Sequence, residues 1–151
     1  MVDGSMLDLF KMEVGQQSEL LNESLLALDL NPTAAEPLEA AMRASHSIKG
    51  ASRLLGIESV QKIMHVMEDC LVSAQAGELL LDSAAVDVLL KGMDTTKEIA
   101  ECDGDLNLWV ATHQQAFDEL MVELEAIKST DRPTPALTQA TEPEQPPDLQ
   151  A

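Results

Sequence analysis

The chain has 151 residues, is 45% apolar and carries a formal charge of -18, with nine Lys and Arg against 27 Asp and Glu. That acidity argues against nucleic acid or an anionic membrane surface as a partner. The length suits one domain burying around two-thirds of its unfolded surface. There is no Tyr, with only two Phe and one Trp, so Leu, Ala, Val and Met must fill the core, which favours helices over sheet.

The start, Met1-Val-Asp-Gly-Ser, does not read as a signal peptide, and Gly4-Ser5 has the look of a cloning remnant. No 18-residue apolar run is present, so no membrane insertion is expected. The first helix is expected over about 5–28, where Met6, Leu9, Phe10, Val14, Leu21, Leu25 and Leu28 recur at spacings of three and four. Asn31-Pro32-Thr33 breaks it. A second helix follows over about 34–55, with Pro37 tolerable in its first turn. A third is expected over about 58–76, stopped by Gly77, and a fourth over about 83–101 behind an Asp82-Ser83 cap. Asp103-Gly104-Asp105 reads as a turn rather than a calcium loop, since the other ligands of such a loop are missing. A fifth helix is expected over about 108–128, using Trp109, Phe117, Leu120, Leu124 and Ile127.

After Lys128 the composition changes, with five of the seven prolines falling between Pro133 and Pro147. Residues 129–151 are expected to form an acidic, Pro-rich linker to a further domain, unable to bury enough surface to order themselves. Pro143-x-x-Pro146 is more simply linker than ligand motif. Cys70 and Cys102 fit no metal spacing and suit a reducing cytoplasm.

The chemistry is concentrated in Arg43-Ala-Ser-His46-Ser-Ile-Lys49-Gly50-Ala-Ser-Arg53. On a helix, Met42, Arg43, His46, Lys49, Gly50 and Arg53 share one side, opposite Ala41, Ala44, Ile48, Ala51 and Leu55. Three cations around one histidine in so acidic a chain form a place for an anion, phosphate above all. Nineteen residues on comes His65-Val-Met-Glu68-Asp69. If the chain folds back near Leu55-Gly56, His46 and His65 each lie about 14 Å from the turn. They would then sit at one height on antiparallel helices, bringing His46, His65, Lys49 and Glu68 to a common seam.

His46-Ser-Ile-Lys49-Gly50, Leu54-x-Gly56 and His65-x-x-Glu68-Asp69 together resemble the histidine phosphotransfer (HPt) domain. The His65/Glu68 pair is similar to that of the N-terminal phosphotransfer domain of chemotaxis-type, CheA-like sensor kinases. Over Met6 to Gly77 there is a finer resemblance to the kinase of the Wsp surface-sensing pathway. The resemblance covers residues 6 to about 128 and implies an all-α, antiparallel up-and-down four-helix bundle with an additional C-terminal helix. It implies phosphorylation of His46 on the solvent-facing ring nitrogen, Glu68 on the other nitrogen, and Lys49 and His65 completing the network. It also implies two partners, a histidine kinase catalytic domain that binds the ATP and a response-regulator receiver domain that takes the phosphoryl group. Docking is expected over Glu39, Met42, Arg43, Gly50, Arg53 and Leu54. No nucleotide-binding motif is present, so the chain is expected to be no enzyme on its own and to hold no cofactor.

Two other readings compete. A di-iron bundle needs repeated Glu-x-x-His motifs, whereas this chain has one in reverse order beside repelling cations. A non-catalytic interaction bundle is the alternative that the helix pattern by itself leaves open. Met64 and Met67 read as core, Trp109 as a packing residue and His113 as a surface histidine.

Overall fold

The computed structural model describes residues 4–102 and 105–128, and within them every regular element is a helix. The order is α1 Gly4–Leu30, α2 Ala35–Leu55, α3 Glu58–Gln75, α4 Ser83–Glu101, α5 Leu108–Thr112 and α6 Gln114–Lys128. Helix α1 packs on α2 and α4, α2 on α3, and α6 lies across α3 and α4. The result is the antiparallel four-helix bundle with an extra C-terminal helix. The linker expected over 129–151 lies outside the described residues, as do Asp103 and Gly104 of the expected turn. Asp105 Oδ1 does accept the Asn107 N–H at 3.0 Å, the side-chain turn that an Asp in that position favours.

Local chemistry sets the boundaries. Pro32 has no N–H to continue α1, which ends at Leu30 with the Asn31 N–H still reaching the Ala27 carbonyl. At the far end of α2, Gly56 adopts φ 71°, its N–H meets the Arg53 carbonyl and the Ile57 N–H meets Ser52. This is the Schellman ending, and it needs a residue at ease with positive φ. Asp82 caps α4 by accepting the Ala85 N–H at 2.8 Å.

The core runs the length of the bundle. Phe10, Leu21, Leu25 and Leu28 from α1 meet Ile48 from α2, Ile63, Met64, Met67 and Leu71 from α3, and Leu89 and Met93 from α4. Met64 and Met67 are core, and Trp109 is buried. Cys70 is wholly buried, and burial, with Asp69 adding to it, pushes its thiol up to about 12. It is therefore an inert core group. Gly92 is a packing position that periodicity did not single out. A Cβ there would come within 2.8 Å of the Met67 sulfur, so its absence lets α4 approach α3 at Ile63 and Met67.

Two elements depart from the sequence reading. Met6 and Leu9 carry the apolar period of α1 but are 42% and 63% exposed. Reflected through the 31–34 turn, Phe10 faces the last residue of α2, so the preceding turns of α1 have little of α2 left to cover them. The expected helix over 108–128 is split at His113, whose φ is -130°. The His113 ring stacks on Trp109 with centroids 4.2 Å apart, and its Nδ1 lies 2.9 Å from the Trp109 carbonyl. An α-helix would give that carbonyl to the His113 N–H. With the Thr112 hydroxyl donating to that carbonyl at 3.0 Å and the ring beside it, the N–H turns to Val110 at 3.1 Å. Side chains have competed out one link of the backbone ladder.

Candidate functional site

Helix α2 presents the site because its two faces differ so sharply. Ala41, Ala44, Ser45, Ile48 and Ser52 are buried, the serines returning their hydroxyls to backbone carbonyls of the same helix. Small side chains on that face seat α2 deep in the bundle. His46 is left outside, 69% exposed at the side chain.

Its neighbour across the α2–α3 seam is Glu68. His46 Nδ1 and Glu68 Oε2 are 3.0 Å apart. A carboxylate only accepts, so Nδ1 is the donor, and the tautomer with its lone pair on Nε2 follows. Lys49, one turn beyond His46, brings Nζ to 2.6 Å from the other oxygen, Glu68 Oε1. This is a charge contact lying off the direction of a regular hydrogen bond, since Oε1 has no hydrogen-bond partner by angle. Lys49 and Glu68 are both largely buried, with 17% and 18% of their side chains exposed, so solvent screens the pair little. The arrangement is an imidazole held by its inner nitrogen, with a carboxylate beneath to balance positive charge and a basic nitrogen aimed at solvent. Chemically the arrangement leaves the outer ring nitrogen able to act as a nucleophile, with a carboxylate beneath to compensate charge on the ring.

His65 does not join it. Its Nε2 pairs with Asp69 Oδ2 at 3.4 Å, on its own helix. Asp69 also holds Lys128 Nζ at 3.1 Å and keeps that ammonium above the usual lysine range. The expected four-residue cluster is thus three residues, and the reason is register. Gly56 and Ile57 both lie outside the helices, so the hairpin is centred between them, one residue beyond the Leu55-Gly56 step. The level opposite His46 is then Met67, which points into the core, and the next residue, Glu68, reaches the ring, while His65 falls opposite Ile48. Asp69 went unnoticed as a partner, although its position four residues after His65 was a visible signal.

Of the expected docking residues, Glu39, Arg43, Gly50, Arg53 and Leu54 are exposed on the outward side of α2, Leu54 by 78%. Met42 is half-buried and packs partly on the core. Nothing lies within 4 Å of a Cβ placed on Gly50, so the surface beside His46 is flat and open there. Among the described residues no three His, Cys, Asp or Glu side chains converge as a metal site requires, and no helix is long and apolar enough to cross a membrane.

Known proteins share this framework. The sensor histidine kinase CheAY of Helicobacter pylori is 30% identical over 124 residues, which is 80% of this chain and 15% of that protein. The chemotaxis protein CheA of Salmonella typhimurium is 38% identical over 73 residues, 47% of this chain and 11% of that protein. The chain therefore spans only a small part of the length of these relatives. In three dimensions it resembles the phosphorylated P1 domain of CheA3, solved in complex with CheY6 from R. sphaeroides. The TM-score is 0.70 at 25% identity, over 85% of this chain and 98% of that one. The model of the Hpt domain matches residues 5–128, the whole run from the first turn of α1 to the last residue of α6. With bundle, seam and sequence in agreement, this chain belongs to the Hpt domain family.

Proposed function

We propose that the chain is a phosphoryl carrier in a chemotaxis-like phosphorelay and that His46 is the residue that carries the group. The observation that supports this most is the His46–Glu68 contact on an otherwise exposed ring, which leaves Nε2 free and basic. In this reading the Nε2 lone pair attacks the γ-phosphorus of ATP bound by a histidine kinase catalytic domain. The N–P bond forms as the bond to the ADP oxygen breaks. The ring becomes cationic, and Glu68 balances the charge. A receiver-domain aspartate then attacks phosphorus, the P–N bond breaks and neutral imidazole returns. The chain itself needs no cofactor and no nucleotide site, and it acts as a carrier instead of an enzyme, as part of a longer cytoplasmic kinase. The phosphorylated state and CheY6-bound form of the similar CheA3 domain support this reading.

His65 enters this proposal as a flanking residue, since Asp69 and not Glu68 is its partner. Lys49 has two roles, holding Glu68 and offering a cation one turn from Nε2. Incubation with a chemotaxis-kinase catalytic domain and ATP should label the chain with phosphate that is lost in acid and kept in base. A chain that stays unlabelled, or whose label survives acid, would contradict the reading.

Gly50 gives a sharper prediction. Leucine at this open, exposed helical position meets no neighbour and has the better helix propensity, so stability should rise by about 0.5–1 kcal/mol. The same side chain would stand between an incoming receiver domain and His46. Transfer from phosphorylated Gly50→Leu protein should fall by roughly tenfold or more, the cost of a misplaced approach. Unchanged transfer with a raised melting temperature would remove Gly50 from the docking surface.

A further inference from the structure

On the flank of the His46 seam, α2, α3 and α6 enclose a groove of about 360 Å³. Its walls carry Arg53, Lys62, His65, Val66, Met121 and Glu125, and Lys49 forms the end nearest His46. Four of the chain's few basic or imidazole side chains therefore converge on one groove, in a protein of net charge -18. Lys49 is neutralised by Glu68, and His65 and Lys128 share Asp69. Arg53 and Lys62 make no ion pair among the described residues, and the carboxylate that shares the groove with them is Glu125. Between the cations, Val66 and Met121 provide an apolar floor. A small anion would have no use for that floor, and a purely apolar partner would have to strip two cations of water. The surface fits an acidic polypeptide segment with one apolar side chain between its carboxylates.

Resting on the carrier function proposed above, we infer that this groove docks an acidic, apolar-anchored segment of the phosphoryl-donor protein. A donor must keep a nucleotide between itself and His46. The polyphosphate then occupies the space over the ring, so the donor's protein contacts have to lie to one side. The groove meets that demand, because it opens beside Lys49 and runs away from His46 along α3 and α6. An acceptor carboxylate needs only the open Gly50 face. The rim charges contribute chiefly to encounter and specificity, and so to the affinity of the donor complex.

The test separates binding from chemistry. A chemotaxis-kinase catalytic domain is titrated, without nucleotide, into ¹⁵N-labelled His46→Gln protein, so that docking is read even if His46 is not the residue phosphorylated. Amide shifts should centre on Lys62, His65, Val66 and Met121. Lys62 is solvent-exposed and outside the His46 contacts, so Lys62→Glu leaves the fold and the nucleophile intact. That change should weaken donor binding about three- to tenfold, and raising salt from about 50 to about 300 mM should do the same to the parent protein. Binding of a receiver domain should be unchanged by Lys62→Glu. A footprint that misses the groove, or a donor affinity indifferent to Lys62→Glu, overturns the inference. Equal weakening of donor and receiver overturns the assignment to the donor. Competition by tripolyphosphate that equals competition by an acidic Phe-containing peptide would show an anion subsite instead of a segment-binding groove.

Discussion

Phosphorylation should vanish in the His46→Gln protein while its fold remains intact. Glutamine keeps the polarity and roughly the reach of histidine but has no basic nitrogen, so nothing can attack phosphorus. The side chain is 69% exposed and contributes no core packing. Stability should therefore change by no more than about 0.5 kcal/mol, as for ordinary surface positions. The other two histidines make this a sharp test. His65 lies in the neighbouring groove with Asp69 on its ring, and His113 is stacked on Trp109 with its Nδ1 against a backbone carbonyl. His65 also has a carboxylate–lysine pair, Asp69 with Lys128, but the contact is longer, at 3.4 Å, and is made through Nε2 to a residue of its own helix. Radiolabel on His46→Gln protein with an unchanged circular dichroism spectrum would move the site elsewhere.

Glu68→Gln is the second large effect, and it separates mechanism from placement. In the parent protein the carboxylate accepts from Nδ1 at 3.0 Å and so fixes the tautomer before the phosphoryl group arrives. As the N–P bond forms, the ring gains positive charge, and a carboxylate at this distance stabilises that charge more than it stabilises the neutral ring. Glutamine keeps the shape, loses the charge, and can turn its NH₂ group toward the ring, favouring the wrong tautomer. Lys49 loses its counter-charge in the same step. The rate of phosphorylation in a single turnover at saturating kinase should drop roughly ten- to a thousandfold, the range of general acid–base losses. Affinity for either partner protein should hold, because Glu68 is only 18% exposed and lies beneath the ring, off the contact surface. Equal rates for parent and variant would make Glu68 a spectator.

The parts of this site that were legible in the sequence are those set by local rules. Spacing along one helix placed His46, Lys49, Gly50 and Arg53 together, and Gly56 announced the turn that brings α3 back. The pairing across that turn was not legible to better than a residue. Whether Gly56 and Ile57 belong to the helices or to the connection shifts the level opposite His46 from His65 to Met67, next to Glu68, and the Schellman hydrogen bonds decide it. Helix geometry brought Glu68 to the same seam but set His65 level with His46, and the family resemblance assigned Glu68 to the inner ring nitrogen. The apolar period of α1 carried no sign that Met6 and Leu9 run out beyond most of α2, because helix length and partner length are separate facts. The break at His113 was equally hidden. Periodicity registers which residues face inward, and takes no account of side chains that compete for a backbone carbonyl. The groove beside Lys49 depends on α6 lying along α3, a long-range contact to which Lys62 and Met121 gave no local clue.

The central claim is that Glu68 holds the inner ring nitrogen of His46 so that the outer one takes the phosphoryl group. Correlation NMR through the nitrogen–phosphorus bond, on protein labelled with ¹⁵N in its histidine rings and phosphorylated by a kinase catalytic domain, reads this directly. The account predicts a single phosphorus signal coupled to Nε2 of His46, with Nδ1 still protonated and hydrogen-bonded. Phosphorus coupled to Nδ1 of His46, or to either nitrogen of His65, would contradict it.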